Sequence, residues 1–174
     1  MPSALITGVT GQDGTFLAEY LLSKGYRVVG LTRDVAAARS GEAADILRDV
    51  QLVEGSVTDS ALLRRLVEQS QPQEIYNLAG QTRVSTSWDD PVETGDSCGL
   101  AVARLLAIAK AVAPGVRFLQ ASSAEMFAPE VTGPADESSP FRPVSPYGAA
   151  KLYAHHLVGA YRDVHRMYAV SAIL

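Results

Sequence analysis

Residues 4–17, Ala4-Leu5-Ile6-Thr7-Gly8-Val9-Thr10-Gly11-Gln12-Asp13-Gly14-Thr15-Phe16-Leu17, decide the fold. A brief apolar run reads as a strand, glycines at 8, 11 and 14 read as a tight turn, and helical spacing follows at once. Glycines so placed allow a sharp turn, close approach of backbone to a pyrophosphate, and close packing of helix on strand. The helix N-terminus adds unpaired N–H groups and a dipole that favours anions. Strand, glycine triplet and helix in that order make a dinucleotide-binding turn. Gly8, Thr10, Gly11, Gln12, Asp13 and Gly14 are its cofactor candidates.

The rest of the chain repeats the same alternation. Ala4–Ile6, Arg27–Leu31, Gln51–Val53, Glu74–Leu78, Arg117–Gln120 and Ala169–Leu174 read as six strands, each short and bounded by turn residues. Phe16, Leu17, Tyr20 and Leu21 mark a first helix that Gly25 ends. Asp59 or Ser60 caps a second, which carries Leu62, Leu63, Leu66 and Val67. A long helix holds Leu100, Leu105, Leu106 and Ile108, and another runs from Tyr147 to about Arg166. Alternating strands and helices predict a doubly wound α/β fold with a parallel sheet of order 3-2-1-4-5-6. One Rossmann domain over residues 1–174 accounts for the whole chain. The segment from Val35 to Asp49, rich in alanine, predicts a surface helix or mobile loop without chemistry.

Composition narrows the function classes. Of 174 residues, 47% are hydrophobic and 20% charged, with a net charge of −4, which argues against a nucleic-acid binder. The one cysteine, Cys98, forms no internal disulfide and points to a reducing, cytoplasmic setting. No apolar run nears the ~20 residues that span a bilayer, and the first strand leaves no room for a leader, so no membrane partner is expected. His155 and His156 are adjacent on a helix and diverge, so no metal site is expected.

In a sheet of this order, ligands sit beyond the strands' C-terminal ends. The second strand ends Leu31-Thr32-Arg33-Asp34. An arginine there accepts a 2′-phosphate and an acid holds a 2′-hydroxyl, so Arg33 favours NADP and Asp34 pulls toward NAD. Strand five runs into Ser122-Ser123-Ala124-Glu125, and Tyr147 and Lys151 lie one helical turn apart. A phenol with a pKa near ~10 is a poor base, and a neighbouring ammonium together with a nicotinamide cation is expected to lower it.

Ser145-Pro146-Tyr147-Gly148-Ala149-Ala150-Lys151-Leu152-Tyr153-Ala154, the Gly-Gln-Asp-Gly turn, residues 71–79 and Gln120 through Phe127 together resemble the GDP-mannose 4,6-dehydratase family of extended short-chain dehydrogenase/reductases, along nearly all of the chain. The resemblance implies a set of roles. Tyr147 takes the hexose C4 hydroxyl proton as hydride passes to NADP. Lys151 holds the nicotinamide ribose and tunes Tyr147, and Ser123 hydrogen-bonds the C4 oxygen. Glu125 takes the C5 proton before water leaves C6 and hydride returns there. The resemblance also implies cofactor contacts from Arg33, Ser56, Val57, Leu78, Ala79 and Gly80. It implies substrate contacts from Val84, Ser87, Ser123 and Glu125, with GDP-mannose favoured and a homo-oligomer expected. Trp88 reads equally as a sugar-site wall or as core.

Some positions depart from the family. Ser56 stands where relatives carry an aspartate for adenine, Cys98 where many carry an asparagine-like residue, Ala101 for a common glycine, and Ala128 for another. Ala124 replaces the aspartic acid of dTDP-glucose dehydratases, which disfavours a dTDP-sugar. The Ser-x-Glu pattern is shared with GDP-4-keto-6-deoxymannose reductases, so a C4 reductase or an epimerase/reductase stays open. Family members continue well past residue 174, so a fragment that lacks its C-terminal substrate-binding part is expected. A non-enzymatic NADP-binding module is the remaining alternative.

Overall fold

The computed structural model describes residues 1–127 and 134–174; Ala128 lies outside the described residues. Six parallel strands are β1 (Ser3–Thr7), β2 (Arg27–Thr32), β3 (Gln51–Glu54), β4 (Glu74–Asn77), β5 (Arg117–Ala121) and β6 (Tyr168–Ala172). Their order is β3-β2-β1-β4-β5-β6, with Leu5 in register with Val29 on one side and Ile75 on the other. The helices are α1 (Gln12–Ser23), α2 (Val35–Ser40), α3 (Ala44–Leu47), α4 (Ser60–Ser70), α5 (Pro91–Gly95), α6 (Ala101–Val112) and α7 (Pro146–His165). No helix among the described residues is long and apolar enough to cross a membrane.

Successive residues of a strand face opposite sides, and here both sides are covered. Ala4 and Ile6 pack with Ala18 and Leu21 of α1 and Leu47 of α3. Leu5, Val29, Leu31, Ile75 and Phe118 pack with Leu63 and Leu66 of α4, Leu105 and Leu106 of α6, and Ala154 and Val158 of α7. The first helix buries a different stripe from the one its large side chains suggest. Gly14, Thr15, Ala18 and Leu21 face the sheet, whereas Phe16 and Tyr20 are more than half exposed. Small residues let α1 lie close to β1, which leaves no room for two aromatics beneath it.

Of two further expectations, the surface helix is present as two short helices and the start of the long helix is corrected. Residues 35–49 form α2 and α3, tied together by Arg39, whose guanidinium donates to the carbonyls of Leu47, Arg48 and Val50. The long helix begins earlier than its leucines suggest: α5 runs through a π-helical turn at Asp96–Leu100 into α6. Gly99 in that turn lies so close to α7 that a Cβ would sit 3.4 Å from the Ala150 carbonyl and the Tyr153 ring, while Leu100 turns outward.

Candidate active site

The glycine turn joins β1 to α1 and is built from backbone. Gly8 has φ +69°, and a Cβ on it would stand 2.8 Å from the Ala79 nitrogen, so only glycine fits between β1 and the end of β4. A Cβ on Gly14 would overlap the Gly8 carbonyl and stand 2.8 Å from Val9 Cα. Gly11 instead is the N-cap of α1, exposed, and no side chain caps that helix. By contrast α2, α4, α5 and α7 receive caps from Asp34, Asp59, Asp90 and Ser145. The first N–H groups of α1 are thus offered outward to an anion. Thr10, Gln12 and Asp13 are exposed around them. The donor set fits a pyrophosphate.

Beside the turn, Thr10 Oγ1 lies 3.4 Å from Thr32 Oγ1. Arg33 is exposed, and the Asp34 carboxylate accepts the Ala37 N–H at 2.8 Å. Ser56 is engaged in its own loop: its hydroxyl pairs with Thr58 Oγ1 at 2.8 Å and accepts the Thr58 N–H. Val57 is part of the core, so only its backbone faces the loop region. Leu78, Ala79 and Gly80 continue from β4, half-buried, and a Cβ on Gly80 would meet the Cys98 sulfur at 3.0 Å.

The second half of the site stands where β5 ends. Ser123 is buried and accepts the Glu125 N–H at 3.2 Å. Glu125 follows on a 3₁₀ turn, Ala124–Met126, with its side chain exposed. Tyr147 and Lys151 enter from the first turns of α7, whose start is fixed by Pro146 and by Ser145 capping Gly148. Gly148 packs directly on the Glu125 carbonyl, where a Cβ would clash. Ser123, Glu125 and Tyr147 are thereby drawn together.

The electrostatics differ from the expected lowering of the phenol. Burial pushes the Tyr147 pKa up, a hydrogen bond with Ser123 pulls it down, and Cys98 and Glu125 push it up further. Burial also lowers the Lys151 pKa. The Lys151 ammonium is 5.6 Å from the Tyr147 ring centroid, but it donates to the Ala121 carbonyl at 2.9 Å rather than to the phenol. The lysine is near the phenol, and burial sets the direction of the Tyr147 shift.

Among the substrate candidates, Val84 packs partly against the cluster of Cys98, Tyr147 and Ala150. Ser87 is fully buried and its hydroxyl donates to the Val84 carbonyl at 2.6 Å, so it closes its own turn rather than facing open space. Trp88 is 65% exposed and is not core. A groove of about 670 Å³ lies elsewhere, between α5 and α7, and none of the catalytic candidates lines it. His155 and His156 both pack their rings on Phe141, and His155 Nδ1 lies 3.1 Å from the Ser122 hydroxyl.

Sequence reasoning missed Cys98 as a neighbour of the candidate residue Tyr147, and missed a buried polar row formed by Thr7, Asn77 and Gln120. Its signal was available: each is a polar residue at or next to the C-terminal end of its strand.

Residues 5–174 match the family model for GDP-mannose 4,6 dehydratase. The chain is 40% identical over 181 aligned residues to the human GDP-mannose 4,6 dehydratase, covering 98% of this chain and 49% of that protein. It is also 40% identical to GDP-mannose 4,6-dehydratase of Yersinia enterocolitica, covering 100% and 49%. The chain thus spans about half the length of these curated relatives. Among solved structures, the Thermus thermophilus UDP-glucose 4-epimerase complex with NAD superposes with a TM-score of 0.84 at 27% identity, over 97% of this chain and 53% of that one. The Bacillus anthracis dTDP-glucose 4,6-dehydratase in complex with NAD shares the fold at TM-score 0.82 and 20% identity, over 99% and 54%.

Proposed function

The chain belongs to the GDP-mannose 4,6-dehydratase family, and from that premise we propose that it is the cofactor-binding and catalytic part of an NADP-dependent enzyme converting GDP-mannose to GDP-4-keto-6-deoxymannose. One observation carries the reading: an exposed carboxylate, Glu125, stands beside the buried Ser123–Tyr147 pair at the sheet's C-terminal edge. Oxidation and re-reduction at C4 need a hydroxyl and a phenol; only loss of water needs a second base.

The chain's own groups divide the work. Gly8, Gly11 and Gly14 with the open end of α1 hold the pyrophosphate, and Lys151 binds the nicotinamide ribose. When bound, the nicotinamide cofactor would supply reversible hydride chemistry between C4 and C6. Tyr147 removes the C4 hydroxyl proton, and Ser123 donates to the C4 oxygen. The 4-ketone acidifies the C5 proton, which the Glu125 carboxylate takes and passes to the departing C6 hydroxyl, so that it leaves as water. C5 regains a proton from solvent as hydride reaches C6. Val84 borders the sugar.

NADP is supported by Arg33, whose guanidinium is exposed, and by Asp34, whose carboxylate is turned to the N-terminus of α2. A homo-oligomer is supported by apolar side chains along the groove between α5 and α7, where Val92 is 80% and Tyr153 45% exposed. A cytoplasmic setting is supported by the single buried cysteine.

The test is mass spectrometry of GDP-mannose and, in parallel, dTDP-glucose, each incubated with NADP and the protein at its relatives' full length. Loss of one water from GDP-mannose alone is expected. Water loss from neither sugar, with reduction of a GDP-4-keto-6-deoxy sugar when that sugar is supplied together with NADPH, would replace the dehydratase with a C4 reductase.

A further inference from the structure

We infer that Gln120 is a positioning residue for Lys151, the last link of a buried hydrogen-bond row that ties the lysine to the glycine turn. The inference deepens the proposed function, because it rests on Lys151 being the residue that holds the cofactor.

The row runs across three adjacent strands. The Ala79 N–H donates to Thr7 Oγ1 at 3.2 Å, and Thr7 donates to Asn77 Oδ1 at 2.6 Å. Asn77 Nδ2 donates to Gln120 Oε1 at 2.7 Å, and Gln120 Nε2 donates to the Ala121 carbonyl at 2.7 Å. Lys151 Nζ donates to that same carbonyl at 2.9 Å. Thr7, Asn77 and Gln120 are 0%, 2% and 1% exposed, and Lys151 is 6% exposed. Each amide in the row has both ends engaged, so neither can flip without leaving a buried group unpaired. An uncharged sheet core has no structural need for three such side chains, since apolar residues of the same shape pack there without that risk.

What the row accomplishes is orientation. Ala121 is the last residue of β5, one step beyond the final β4–β5 pair of Asn77 with Gln120. Its carbonyl is held by two side-chain donors, Gln120 and Lys151. With that carbonyl held by Gln120, the flexible lysine has one fixed acceptor. At its other end, Thr7 directly precedes Gly8, and Gly8 packs on the Ala79 nitrogen that starts the row. The pyrophosphate end and the nicotinamide end of the site thus share one rigid frame.

The test reads Lys151 directly. The chain has three lysines, Lys24, Lys110 and Lys151, of which the first two are exposed and act as internal references. Lysine-selective ¹⁵N labelling follows the ammonium of each by NMR. In Gln120→Met, Lys151 ammonium exchange should quicken about fivefold, the loss expected for one weakened buried hydrogen bond, with Lys24 and Lys110 unmoved. Thr7→Val, three links away, should shift the same Lys151 signal and spare the references. Gln120→Glu keeps the shape and places a carboxylate next to the row, so it covers the case in which Gln120→Met does not fold. It should raise the Lys151 titration midpoint by about one pH unit. An unchanged Lys151 signal in a folded Gln120→Met or Thr7→Val protein would reduce Gln120 to packing. Dinucleotide affinity in Lys151→Met tests the cofactor role separately, so failure of that role and failure of the row are distinguishable.

Discussion

The two edges of the sheet carry similar residues put to opposite uses. At the N-terminal edge Glu74 is 8% exposed and accepts from Tyr26, from Tyr76 at 2.7 Å and from Arg117 at 2.5 Å. Burial, aided by Glu74, holds the Tyr76 phenol well above its ordinary value. At the C-terminal edge Glu125 is exposed, and burial raises Tyr147 with Ser123 acting against it. A carboxylate surrounded by donors is closed to chemistry and serves stability. One left open beside a phenol is available for reaction.

If that contrast holds, substitutions at the two edges should separate cleanly. The largest effect belongs to Tyr147→Phe, expected to lower turnover of GDP-mannose by about 10²–10⁴-fold, the usual contribution of a proton-transfer group, while dinucleotide binding persists in a fluorescence titration. Next, Gly14→Ala should cost about 3 kcal/mol in urea unfolding, because a methyl there meets backbone that cannot yield. Glu74→Gln should cost about 1–2 kcal/mol, tempered by the half-exposed Arg117, and leave turnover per folded molecule intact.

The smallest effect concerns Lys151, which burial holds below its ordinary pKa. Between the folded and unfolded values the unfolded chain binds more protons, so stability rises with pH in that window. The stability present above ~10.4 is lost as pH falls through the folded value. Lys151→Met should therefore raise the unfolding free energy from urea titration at neutral pH by less than about 1 kcal/mol after its lost hydrogen bond. That gain should fade toward pH ~10.

The same contrast governs how much the sequence disclosed. Strand order and the glycine turn were legible because backbone geometry demands glycine at 8 and 14, and few other residues survive there. The grouping of Ser123, Glu125 and Tyr147 followed from strand ends and one helical turn. Burial was less legible. Phe16 and Tyr20 have helical spacing yet face outward, since the close approach of α1 to β1 is set by Gly14 and Ala18. The upward push on Tyr147 depends on how deeply α7 seats it against Cys98, a tertiary fact with no local signature. The π-helical turn that brings Cys98 there arises from packing on α7, where Gly99 meets Ala150.

The most direct test of the account is Glu125→Gln in D₂O, with GDP-mannose and NADP and the protein at its relatives' full length. The account predicts that nicotinamide absorbance still reports oxidation at C4, while C5 gains no deuterium and no water is lost from the sugar. Deuterium at C5 and water loss at the unsubstituted rate would contradict it.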